Sequence, residues 1–345
     1  ANNIRPQGVV LRGAWFKESL DLDNFDLKFP LRFIGCRFEE TISLNNLTNS
    51  KFLEFRDCHF NERFLMNAAV VTGNLSLTNS TFSSCFVLRG SQIGGQLNLL
   101  GSKFEDGIDL NSLIVQGSLF LDSEGSSRTI FCRDVDLVSA FIKDRLCLSH
   151  STFRGNLLMD SLKVGNGLQS NNSSFYGDVS LANSNIRGNL DFDRSSFFSL
   201  LIINSVHLFN DLFLSETHLN KLILTGARVK GDANFTKANC VGEVIMDSVL
   251  VGGNLFIEQC SLSQSLNLTS SIVKGQLVLI DSFFSENVSL NAVKVGKGLL
   301  MQSEKALTTF KENVDLTKAL INKQLNLCGA RFYSALQMSS IEVRG

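Results

Sequence analysis

Residues 153–196 fall into four lines of eleven: FRGNLLMDSLK (153–163), VGNGLQSNNSS (164–174), FYGDVSLANSN (175–185) and IRGNLDFDRSS (186–196). With positions numbered 1 to 11 in each line, position 5 is apolar throughout and position 7 in every line except at Ser170. An L-x-L pair of this kind marks a short strand whose alternate residues face a core. Position 3 is repeatedly Gly, as at Gly155, Gly177 and Gly188 here and at Gly73, Gly95, Gly117, Gly231, Gly242, Gly253 and Gly275 elsewhere. A glycine at this fixed place predicts a corner with backbone angles other residues avoid. The local reading is strand, corner, strand, corner.

The register runs back from Phe153 through Phe131, Val115, Phe104 and Phe82 to Arg5, and forward through Phe197, Val229, Val251 and Phe310 to Val343. About 31 units account for nearly every residue. Successive units alternate in type, so the true period is 22. One type opens on Phe with a small residue two places earlier, as in Cys36 before Phe38, Ser80 before Phe82 and Ser151 before Phe153. The other opens on Val, Ile or Leu and accepts a bulkier partner, as in Leu113 before Val115. Large beside small conserves volume in each layer, as close packing requires. An 11-residue helical repeat is excluded by the tight L-x-L alternation and the abundance of Ser, Asn, Phe and Gly. A leucine-rich repeat has one L-x-L per 20 to 29 residues, whereas this chain has two per 22. The fold expected is therefore all-β: a right-handed parallel β-helix of about 15 coils, forming a single domain over residues 1–345.

The small-x-Phe/Leu steps, such as Ser151-Thr152-Phe153, Ala238-Asn239-Cys240 and Ala330-Arg331-Phe332, resemble those of the pentapeptide-repeat proteins. That resemblance covers almost the whole chain and implies a right-handed, four-sided β-helix with five residues per side. It implies no catalytic residues, since that family has none in common. The present chain departs by one extra residue per half-coil.

Two places lengthen the count, at Ser123–Thr129 and at Ser303–Thr309, both at the same corner of the repeat. Their surroundings match: IDLNSLIVQGSLFLDSE (108–124) against VSLNAVKVGKGLLMQSE (288–304). An ancestral duplication explains the match and places two corner loops on one edge. Neither end of the repeat shows a cap, so the chain reads as part of a longer polypeptide.

The charge is balanced, 32 Lys+Arg against 33 Asp+Glu, and 44% of residues are apolar. Such a chain folds, and its net charge gives neither a basic field for nucleic acid nor an acidic field for imitating DNA. A DNA-mimicking topoisomerase inhibitor, an activity found among pentapeptide-repeat proteins, is thus disfavoured. The longest apolar run, Phe197–Ile203, is far short of the ~20 residues of a membrane span, so no transmembrane segment is expected. The eight cysteines contain no C-x-x-C pair and do not cluster near histidines, which argues against a metal or redox site. Several sit at inward positions as small apolar filler, and Cys36 and Cys58 lie one full repeat apart. Unpaired thiols favour a reducing, cytosolic compartment. The four histidines, His59, His150, His207 and His218, occupy outward positions on separate coils. Acidic residues at position 6 (Asp21, Asp109, Asp136, Asp315) are read as too widely spaced for the paired carboxylates of a carbohydrate-active enzyme. No catalytic residue, metal or cofactor is expected.

One surface feature stands out at position 6, the outward residue between the two core leucines. It is polar on most coils, but on the Phe-type wall it becomes Ile202, Ile223 and Ile245, with Leu158 two coils earlier. On the opposite wall it becomes Phe213, Phe256, Val278 and Leu300. Apolar residues stacked on a flat wall form a stripe that marks contact. The expected function is a non-catalytic scaffold or recognition module within a larger bacterial protein, such as a secreted effector. It would use these eight residues and the two loops to hold a protein partner or a neighbouring domain.

Overall fold

The computed structural model describes residues 8–49, 51–123 and 128–345. The start of the register at Arg5 and the centre of the first corner loop lie outside the described residues. Among the described residues every regular element is a strand, most of them two residues long, and the pairing is parallel. The chain is a parallel β-solenoid of about 15 turns. Its contacts divide it into two units, Ala1–Gly177 and Asp178–Gly345.

Each turn has four walls. The first carries position 1 of a Phe-type unit and position 11 of the unit before it, the second positions 5 and 6 of the Phe-type unit, and the third and fourth the corresponding positions at the Val-type unit that follows. In the first unit Phe60 pairs with Phe82, Phe64 with Phe86, Val71 with Ile93 and Leu75 with Leu97. In the second unit Cys240 pairs with Leu262, Val244 with Leu266, Val251 with Val273 and Leu255 with Leu277. The 22-residue period is thus the vertical spacing in both units. Positions 1, 5, 7 and 10 point inward: Phe82, Phe86, Leu88 and Ser91, then Ile93, Leu97, Leu99 and Ser102, are all buried.

The corner chemistry differs from the expectation. None of Gly73, Gly95, Gly117, Gly155, Gly177, Gly231, Gly242, Gly253 or Gly275 has a left-handed φ. What these positions lack is room, because a Cβ on Gly242 would lie 2.0 Å from the Asn220 carbonyl oxygen of the adjacent coil. Close approach of backbones, not an unusual dihedral, selects glycine there. The left-handed residue is at position 9, where Asn46, Asp57, Ala68, Asn79, Ser161 and Lys237 have φ between 50° and 61°. Most are short polar residues, the non-glycine types that tolerate this region best. Each turn is fixed from the coil that follows, as when Asn46 N–H donates to the Asn67 carbonyl at 2.8 Å.

Two ladders run through the interior. On the first wall Phe60, Phe82, Phe104, Phe131, Phe153 and Phe175 stack with ring centroids 4.5 to 5.4 Å apart. The strand spacing of ~4.8 Å brings such rings into contact, and each pair contributes about 0.5–1.5 kcal/mol beyond its buried area. The second ladder is made of the small residues at position 10 before each Phe. Ser102 Oγ accepts the Ser80 amide at 3.1 Å and donates to the Leu77 carbonyl at 2.7 Å. Ser282 Oγ accepts the Cys260 amide at 3.0 Å and donates to the Ile257 carbonyl at 2.9 Å. A buried hydroxyl thus satisfies two backbone groups of the preceding coil.

All eight cysteines are free. Cys58 and Cys260 occupy the hydroxyl ladder, and their thiols donate to backbone carbonyls. Burial pushes both, and Cys240, up to about 12. These thiols are therefore packing groups and not nucleophiles at neutral pH.

Candidate recognition surface

In the second unit one half-coil, Leu219–Arg228, has ten residues where its neighbours have eleven. The missing residue falls at the corner between the first and second walls. Strands Ser196–Ile202 and His218–Ile223 therefore run unbroken round that corner, whereas the two walls elsewhere hold separate two-residue strands. The two strands pair from Ser196 with His218 to Ile202 with Ile223, with a bulge between Phe197 and Leu200 that absorbs the extra residue. The shortened unit was not apparent in the sequence count, because Leu219 and Val229 both fit position 1.

The joined corner gathers apolar side chains. Ile202 pairs with Ile223 and Ile223 with Ile245, so the three isoleucines form a continuous column. Leu200 lies beside them, half-buried, and Phe198 and Val241, 46% and 42% exposed, follow the first wall on alternate coils, with Asn220 on the coil between. A Lys221–Glu243 ion pair at 2.7 Å borders the patch. Phe198 also faces the His218 ring at 5.8 Å.

On the fourth wall Phe256, Val278 and Leu300 are consecutive in register, while Asn234 separates them from Phe213. Leu158 belongs to the first unit, beside Asp136. Seven of the eight residues singled out in the sequence are half-buried, and Val278 is only 2% exposed. Half-burial is the consequence of stacking, because each side chain covers the flanks of those one coil away. Among the large apolar residues that are 39–46% exposed, Phe198, Phe209, Val241, Ile272 and Phe283 lie instead beside position 1. The signal for them was present as apolar residues at positions 11 and 2.

The expected wide spacing of position-6 carboxylates fails at one place. Asp109 and Asp136 are direct partners on adjacent coils, because the first corner loop lies between them and inflates their separation in sequence. Each accepts the amide two residues on, from Asn111 and Val138, and Arg89 binds Asp109 at 2.7 Å. Their positions serve turn capping and one ion pair. Among the described residues no three His, Cys, Asp or Glu side chains converge, and no helix is long and apolar enough to cross a membrane.

The two loops are anchored alike. Thr129 Oγ1 donates to the Asp122 carbonyl and accepts the Gly101 amide at 3.1 Å. Thr308 Oγ1 donates to the Gln302 carbonyl at 2.6 Å and accepts the Asp281 amide at 2.7 Å. Burial would raise the Asp281 pKa, but amides of Glu304, Lys305 and Ala306 outweigh it and hold the carboxyl below its usual range. Residues 124–127 of the first loop lie outside the described residues. No protein-family model matches this chain, and neither does a curated protein or a solved structure.

Proposed function

We propose that this chain is a non-catalytic β-solenoid module that holds a protein partner, or a neighbouring domain of a larger protein, through the joined corner of its second unit. The observation that carries this reading is the unbroken Ile202–Ile223–Ile245 column at a position that holds Asp, Ser or Asn on most other coils, with exposed Phe198 and Val241 round the same corner. Phe256, Val278 and Leu300 supply a second apolar column on the fourth wall. A recognition module of a bacterial secreted effector is the setting this reading fits. Kinship with the pentapeptide-repeat proteins belongs to the same reading. It is supported by the four-walled turn and by Leu219–Arg228, whose ten residues are two pentads.

The test is capture with the chain as bait, beside an Ile223→Asp/Phe256→Asp variant. Both walls accept the change, since Asp109, Asp136 and Asp315 occupy position 6 of the second wall and Asp191 that of the fourth. The expected result is a protein retained by the parent and lost by the variant, with thermal unfolding of the two within ~1 kcal/mol. Equal capture by both would remove the surface from consideration.

A further inference from the structure

The balanced net charge conceals a segregation of charge in the second unit. On its third wall, positions 11, 1 and 2 of the coils from Asn185 to Asn322 carry the cations Arg187, Arg228, Lys230, Lys274 and Lys294, beside His207, and no carboxylate. Among the described residues none of these cations joins an ion pair, whereas Lys221, Lys237 and Arg344 of the same unit do. The cations are exposed.

Their arrangement is periodic. Position 2 reads Arg187, Phe209, Lys230, Gly252, Lys274, Gly296, so a cation recurs on every second coil, about 9.6 Å along the stacking direction. The intervening glycines are required by close packing, since a Cβ on Gly252 or Gly296 would lie 2.1 Å from the carbonyl oxygen of Lys230 or Lys274. Each opens a recess. The first, of about 430 Å³, is lined by Phe209, Arg228, Leu250 and Lys274 among others. The second, of about 260 Å³, is lined by Ile272, Lys274, Lys294 and Leu320 among others. Phe209 and Ile272 are 44% and 39% exposed. Position 11 is in register throughout, from His207 to Arg228, Leu250, Ile272 and Lys294.

We propose that this wall binds a linear acidic glycan carrying one carboxylate per disaccharide, laid along the stacking direction. The spacing of Arg187, Lys230 and Lys274 sets the charge period, the first recess takes the ring between Lys230 and Lys274, the second extends the track past Lys274, and Phe209, Leu250 and Ile272 meet the apolar C–H faces of the sugars. A duplex with a charge per ~1.7 Å would leave most phosphates unmatched. An extended peptide repeats its one-face side chains about every 6.6 Å, out of step with the wall. A flat bilayer would leave both recesses unfilled. This wall is separate from the joined corner, so the glycan and protein readings stand or fall independently.

Affinity electrophoresis of the full chain in gels containing hyaluronan, an alternating uronate polymer, tests the proposal against neutral dextran. Retardation by hyaluronan alone is expected. It should weaken with salt and fall by about tenfold in Lys230→Glu/Lys274→Glu. A Lys305→Glu/Lys318→Glu control, with the same charge change elsewhere, should behave as the parent, and matched circular dichroism melts show that both variants fold. No retardation, or retardation that survives Lys230→Glu/Lys274→Glu, overturns the proposal. So does tighter binding, lost in that variant, to poly-glutamate, single-stranded DNA or phosphatidylserine vesicles.

Discussion

From Phe60 to Phe175 the first unit keeps an unbroken phenylalanine stack, whereas between Phe197 and Phe284 the second unit places Leu219, Cys240 and Leu262 in the same column. The neighbouring ladder changes at the same coils, where Ala238 brings no hydroxyl. A void of about 10 Å³ remains beside Cys240 and Leu262. Over these coils position 6 of the second wall holds three apolar residues in a row, Ile202, Ile223 and Ile245, where the first unit has at most two, Leu65 and Val87, and the corner loses a residue. The coil geometry therefore does not depend on an aromatic column. Pairing and the turn at position 9 suffice to hold it, and the side chains of one stretch are free to serve another purpose.

The largest break in this comparison should come from cutting the stack itself. Phe82→Ala removes a ring packed against Phe60 and Phe104 and is expected to cost about 3–5 kcal/mol, against ~1 kcal/mol or less for Cys240→Ala at the equivalent place in the second unit. Urea unfolding of the two variants measures the difference, and similar losses would show that the rings are not what stabilises the first unit. A smaller effect is expected from the hydroxyl ladder. Ser102→Ala leaves the Ser80 amide and the Leu77 carbonyl buried without their partner and should cost about 1–3 kcal/mol. Protection of the Ser80 amide against hydrogen exchange should fall in the same variant. The smallest effect sharpens the comparison by testing what the units share. Ala68→Gly in the first unit and Ala292→Gly in the second both relieve a left-handed φ, of 50° and 54°. Each should gain about 1 kcal/mol in thermal unfolding, and unequal gains would show that the turn differs between the units.

Inward positions 1, 5, 7 and 10 were legible in the sequence because burial selects by one property, apolarity or small size, at a fixed spacing. The period, the pairing of coils and the columns at position 6 followed from that pattern. The turn was misplaced because its left-handed residue accepts Asn, Asp, Ser, Ala, Lys or Gly, so no single residue type marks it. Glycine marked the corner for a reason that depends on the adjacent coil, 22 residues away, and not on its own dihedral. The ten-residue half-coil is silent in the sequence because losing one corner residue beside Asn220 leaves every apolar position filled. Charge segregation was invisible to a net charge that sums over all walls. Pairing of Asp109 with Asp136 was hidden by the loop between them.

The hydroxyl ladder gives the solenoid an internal direction. Ser80, Ser102 and Ser282 each serve an amide and a carbonyl of the coil before their own. At this ladder the inner amide and carbonyl of a coil are completed by its successor, although its strand amides on the first and third walls bond to the coil before. During synthesis from the amino terminus, the last coil formed holds its inner polar groups open until the next 22 residues arrive, so the growing edge is always the one primed to accept more chain.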